Sequence, residues 1–261
     1  MKNMKLMGVA LGLPLLLVAC SSTTPPAAKE YKVEGTLFDV NEAATNEADY
    51  FKPWGSGAGT IEAKNLTAAI PGTVLATGTV NADGTFSVTL PAAIADSDLA
   101  PIPEAQKLEG NPGCTSELKI SNEKALIGTI AFVLGGNLDG LPVTANSIQS
   151  VTNPDKSGEI TLTQSILVYS SASTKFSGNQ TCQTEGSATI ATDSINADLK
   201  KGFNVLKSVR AFKFSSEGME TVQNSTLTNA EFQPRWSFDP EFGGLVPNSL
   251  AKATQSHLRF K

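Results

Sequence analysis

The sequence predicts an all-β protein built as one or more antiparallel β-sandwiches. Three observations lead there. Apolar residues do not recur at helical spacing over any run of 12 or more residues. Short period-two or β-branched runs recur instead, set apart by Gly, Pro, Asn and Asp. Charged residues are only 17% of the chain, while Thr, Ser, Asn, Gly and Ala are plentiful, a composition that suits a neutral pleated surface.

In chain order the expected strands begin with Tyr31–Phe38, Gly59–Lys64, Thr73–Val80 and Thr85–Leu90. Glu117–Ser121, Ala125–Leu134, Gln149–Thr152, Glu159–Ser170 and Lys175–Ser177 follow. Thr181–Thr192, Asn204–Phe214, Met219–Ser225 and Glu231–Phe238 complete the set. That many short strands at this spacing indicates a sandwich or a barrel. Asn81-Ala82-Asp83-Gly84 is turn chemistry, with Gly84 free to take positive φ. After it, Phe86, Val88 and Leu90 alternate with Ser87 and Thr89, which predicts one buried and one wet face. Pro91 ends that ladder because it has no N–H to donate. Leu199 to Val205 reads as a strand, a turn at Gly202 and a second strand. Asn41–Gly59 and Asp239–Ser256 read as long irregular stretches.

The hairpin over residues 79–91, together with Val33-Glu34-Gly35-Thr36-Leu37, resembles the carboxypeptidase-regulatory or transthyretin-like β-sandwich modules of bacterial surface proteins. The resemblance covers about a quarter of the chain. It implies a structural or binding module, not a catalyst. Pro91, Pro101, Pro103 and Pro112 crowd the stretch that follows. The expected organisation is therefore a module over 31–104, a linker over 105–113 and a larger β domain over 114–261, in which the run from Tyr169 to Asn204 is similar to segments of uncharacterised bacterial envelope lipoproteins.

The N-terminus reads as an address. Lys2 and Lys5 give it positive charge, and Leu6 to Val18 is apolar but too short for a comfortable bilayer span. Leu17-Val18-Ala19-Cys20 then resembles a bacterial lipobox. The resemblance implies that residues 1–19 are a signal peptide and that Cys20 is diacylated to anchor the mature chain. Ser21 after the cysteine implies outer-membrane sorting if the cell has two membranes. Residues 20–30, with Pro25-Pro26, read as a polar tether. The expected location is extracytoplasmic and lipid-anchored.

Charge and cysteine count narrow the function. The net charge is −5, and removal of Lys2 and Lys5 makes it two units more negative. No basic patch is present to neutralise phosphates, so nucleic acid is not an expected partner. With Cys20 taken by lipid, Cys114 and Cys182 remain, and an oxidising compartment predicts one disulfide between them.

Catalytic constellations are scarce. His257 is the only histidine, so a hydrolytic triad would need it, and no Gly-x-Ser-x-Gly elbow exists. A histidine-rich zinc site is excluded by count. No catalytic residue is assigned, and the expectation is a non-enzyme. Asn153, Asp155, Ser157 and Glu159 match part of a calcium loop, with Gly158 at its sixth position. Gln164 stands where that loop needs a bidentate Glu, and an Asn/Asp-capped turn explains the segment as well. Otherwise no cofactor or metal is expected. Tyr50 and Trp54, beside Gly55 and Gly57, are the candidate ligand contacts, since exposed rings stack on sugar faces.

The implied role is contact with envelope proteins or glycans by a membrane-tethered β protein. Two other classes stay open. One is a glycan hydrolase with paired carboxylates among Glu104, Glu109, Glu117, Asp239 and Glu241. The other is a β-barrel carrier of an apolar small molecule.

Overall fold

A computed structural model of the chain describes residues 30–40, 47–67, 72–102, 114–135, 141–152, 158–183, 190–215 and 218–238. Cys20, His257, Glu104, Glu109, Asp239, Glu241 and the turn over 153–157 lie outside the described residues. The fold is all-β, with 70% of it in strands.

The strands, in order, are β1 (Tyr31–Val40), β2 (Phe51–Pro53), β3 (Gly59–Asn65), β4 (Thr73–Val80), β5 (Thr85–Leu90), β6 (Ala100–Pro101), β7 (Cys114–Ser116) and β8 (Lys119–Ile120). β9 (Leu126–Gly135), β10 (Leu141–Thr152), β11 (Gly158–Ser170), β12 (Thr174–Gln183), β13 (Ile190–Leu199), β14 (Gly202–Ser215), β15 (Gly218–Asn229) and β16 (Arg235–Phe238) follow. One helical turn, Glu47–Tyr50, and a 3-10 turn, Asp96–Asp98, interrupt them.

A sandwich is not confirmed. Eight strands close a barrel, with further strands outside it. The ring runs β9, β3, β4, β5, β1, β16, β10, β11 and back to β9. β9 closes it because it bridges two neighbours on one edge. Its later half pairs with β10, from Leu134↔Leu141 to Phe132↔Val143, and its earlier half with β11, from Ile130↔Leu167 to Ile127↔Ser170. Its other edge pairs with β3 and β6. The sequence-level pattern is the same for a sandwich and for a barrel, since both alternate inward and outward residues. What separates them is the long-range pairing of β1 with β16, which is parallel and joins Leu37 to Trp236.

The early strands β3, β4, β5 and β1 form one arc of this ring, the later strands β16, β10, β11 and β9 form the other, and both arcs line one core. Its centre is Trp236, which is 2% exposed. Phe86 and Phe132 meet it edge-on at 5.0 and 5.1 Å, and Phe232 lies tilted at 5.2 Å. Burying rings of this size dominates core energetics, and edge-on pairing adds about 0.5–1.5 kcal/mol per pair. Gly35 on β1 makes room for the indole: a Cβ there would press on Trp236 Nε1 and Cδ1 and lie 2.8 Å from Phe86.

From β11 the sheet continues through β14, β15, β13 and β12 to β7, with β8 also on β12. A second apolar cluster lies on this extension. It gathers Ile127, Val168, Phe176, Ile195, Ala197, Leu199, Leu206 and Leu227. β11 serves both cores by period two: Leu167 and Tyr169 face the barrel, and Val168 faces the second cluster.

The expected hairpin at 79–91 forms as read. Gly84 takes φ +85, Asn81 N–H donates to the Thr85 carbonyl at 2.8 Å, and Phe86, Val88 and Leu90 are buried. Several segments differ from expectation: Glu117–Ser121 gives way to β7 and β8 with a break between them, and the strand expected over Glu231–Phe238 begins only at Arg235. β10 starts at Leu141, well before Gln149, because its polar Asn146 is buried and donates from Nδ2 to Ser237 Oγ at 2.7 Å on the neighbouring strand. The run Thr181–Thr192 is split between β12 and β13, which face each other from Gln183↔Ile190 to Thr174↔Leu199. The irregular stretch 41–59 contains a helical turn and β2, which pairs with the end of β1.

Candidate functional site

Trp54, expected as an open stacking surface, is buried at 7% exposure. Its indole packs over Gly84, where a Cβ would sit 2.6 Å from the Trp54 Cβ. Its Nε1 donates to the Gly57 carbonyl at 2.8 Å. The local glycines suggested little cover, but the cover arrives from the β4–β5 turn, far away in sequence. Gly55 N–H donates to Asp39 Oδ2 at 2.9 Å and pins the loop onto β1. Trp54 is thus part of the barrel's end.

Tyr50 sits differently. It is half-buried, and its ring meets Phe51 edge-on at 5.0 Å. Phe51 meets Phe38 of β1 at 5.9 Å and lies under the Arg235 guanidinium, whose Cζ is 5.2 Å from the ring centroid. Register explains the gathering. Phe38 faces Pro53 across β1–β2, Val40 faces Phe51, and Thr36 faces Arg235 across β1–β16. Leu37 and Trp236, opposite each other in between, turn inward. Three half-buried rings and one cation therefore share the outer wall of the barrel. Sequence reasoning found Tyr50 and missed Phe38, Phe51 and Arg235. The outward alternation of Phe38 beside inward Leu37 was the available signal.

No family model, curated protein or solved structure matches this chain.

Cys114 and Cys182 are directly opposite in the antiparallel β7–β12 pair. Opposed residues in such pairs have Cα atoms about 4.5–5.5 Å apart, within the span a disulfide bridges.

A polar row crosses the outer sheet on the side of the second cluster. Arg210, Ser225, Asp193, Gln180 and Ser116 occupy one register line over β14, β15, β13, β12 and β7. Burial pulls the Arg210 guanidinium below its usual value, and the Asp193 charge partly restores it. Gln180, 1% exposed, donates from Nε2 to Ser116 Oγ at 3.2 Å. The row was not legible in sequence because each strand contributes one position.

Among the described residues, no group of three or more His, Cys, Asp or Glu is placed to hold a metal ion. Glu117, the described member of the carboxylate candidates, is exposed beside an open groove lined by Leu118, Lys119, Ser177 and Gly178. The barrel interior is filled by the Trp236 cluster, so an apolar guest at its centre would have to displace that indole.

Proposed function

We propose that this protein is a lipid-anchored envelope protein whose work is contact, and that it touches its partner through Tyr50, Phe51, Phe38 and Arg235. The observation that carries the reading is this half-buried aromatic patch with a guanidinium over its central ring. Edges and faces of such rings offer large contact area at small entropic cost, and Arg adds donors that hydroxyl or carboxylate groups accept. Anchoring through Cys20, with two or three acyl chains at about 0.8 kcal/mol per buried methylene, would hold the patch near the envelope permanently. The calcium-loop turn over 153–157 and the carboxylates Glu104, Glu109, Asp239 and Glu241 lie outside the described residues.

The test is retention of mature protein on immobilised cell-wall and envelope polysaccharides and on purified outer-envelope proteins. Tyr50→Ala with Phe51→Ala should weaken retention at least about tenfold, as loss of two stacking rings at about 1 kcal/mol each implies. Retention unchanged by that double variant, or absent on every matrix for the wild type, would remove the patch as the contact.

A further inference from the structure

The edges of this sheet are guarded unequally. At its ends the strands are short: β6 is Ala100–Pro101, and β7 and β8 have three and two residues with exposed Glu117 between them and exposed Lys119 within β8. Short strands, proline and charge are the devices that block unwanted pairing. β4, Thr73 to Val80, has neither charge nor proline, and a single bulge is its one such device.

One side of β4 is laddered to β3 from Gly59↔Val80 to Asn65↔Thr73. On the other side, among the described residues, its register with β5 holds at Thr79↔Ser87 and Val80↔Phe86. Gly78 still lies so close to β5 that a Cβ would strike the Ser87 carbonyl. Among the described residues, Thr73–Thr77 has no ladder on that side. A bulge opposite Ala63 and Lys64 gives β4 one extra residue there, Leu75. Leu75 packs on the barrel core, while Val74 is 47% exposed, the one large hydrophobic side chain that the described surface leaves open.

We propose that Thr73–Thr77 is a self-pairing edge, on which a second copy of this chain docks antiparallel about a two-fold axis. Only extended backbone satisfies a row of alternating N–H and C=O groups. A two-fold contact sets the strand against itself, and an uncharged strand then opposes no like charges. Thr73, Val74 and Thr77 are β-branched, the type that cross-strand pairs favour. Five residues per copy make a small interface, short of what holds most dimers in dilute solution. Copies confined to one surface meet at high effective concentration, and there a small contact suffices. That last step rests on the lipid anchor proposed above.

The lipidated mature protein, labelled through a C-terminal tag with donor in one batch and acceptor in another, is mixed in phosphatidylcholine vesicles. Energy transfer should exceed that of randomly placed copies. Val74→Lys and Thr77→Lys, both at exposed positions, should each weaken association about tenfold or more. Unaltered near-ultraviolet circular dichroism checks their folding. Wild-type transfer at the random level would overturn the proposal, as would transfer that both lysine variants leave intact. A protein that does not stay on vesicles would instead sink the anchor reading. In that case sedimentation at high concentration decides: association lost in both variants sustains the edge, and a monomer throughout refutes it.

Discussion

Gly35→Ala gives the sharpest test of barrel closure. The added methyl would press on Trp236 Nε1 and Cδ1 and on Phe86 Cε1 at once. Neither ring has room to yield, since Trp236 is 2% and Phe86 4% exposed. Overpacking of a closed core costs about 1–3 kcal/mol. With a urea m-value near 3 kcal/mol/M for a chain this long, the unfolding midpoint should fall by roughly 0.3–1 M. Far-ultraviolet circular dichroism follows unfolding in every variant, with or without Trp236. The control is the same substitution in Trp236→Leu. That variant is itself destabilised by a cavity, but two of the three atoms that the methyl strikes are gone and only Phe86 Cε1 remains, so the second change should cost clearly less than it does beside Trp236. A Gly35→Ala midpoint equal to wild type, or an equal cost in both backgrounds, would refute the packing of β1 against β16.

Three further outcomes are expected. Cys114→Ser should lower the urea midpoint by roughly 1.5 M, because a bridge closing about 70 residues contributes about 4 kcal/mol in the chain-entropy model; equal midpoints for wild type with and without reductant would show that the opposed cysteines are not joined. Asp83 should shape the acid limb. Its carboxylate lies below the ordinary value of 3.8, held there first by the Thr85 hydroxyl and then by the Thr85 N–H. The folded chain thus binds the proton less tightly than the unfolded one, so this contribution is present above the ordinary carboxylate range and lost as pH falls through the depressed folded value. Asp83→Asn should flatten the fall of the midpoint between about pH 5 and 2, and an unaltered slope would remove Asp83 from that account. Cys20→Ser should move the protein from the membrane fraction to the soluble fraction, and unchanged fractionation would exclude the lipid anchor.

What could be read from sequence was local. The 79–91 hairpin was legible because Asn81, Asp83 and Gly84 fix the turn by their own chemistry and Phe86, Val88 and Leu90 alternate after it. The ring was not, because its closure depends on β16 lying parallel to β1 from the far end of the described chain. β10 was half-missed because Asn146, a polar residue, is buried and its partner, Ser237, is on that same distant strand. At the candidate site, Tyr50 was visible as an aromatic in a polar loop. The burial of Trp54 depends on Gly84, and the patch depends on Phe38 and Arg235, each supplied by another strand. Cysteine parity named Cys114 and Cys182, but only the β7–β12 register made them neighbours.

The flanking of β1 has a mechanical result. A pull applied at Tyr31 along this strand's own axis loads both of its flanks. β5 holds one side of it from Tyr31↔Leu90 to Thr36↔Thr85, and β16 grips the other side from Thr36 to Phe38. Such a load shears the bonds on both flanks together and cannot unzip them one at a time. Were the chain tethered ahead of Tyr31, drag on its body would load the β5 pairs over Tyr31–Thr36 and the β16 pairs over Thr36–Phe38, with Trp236 packed behind them.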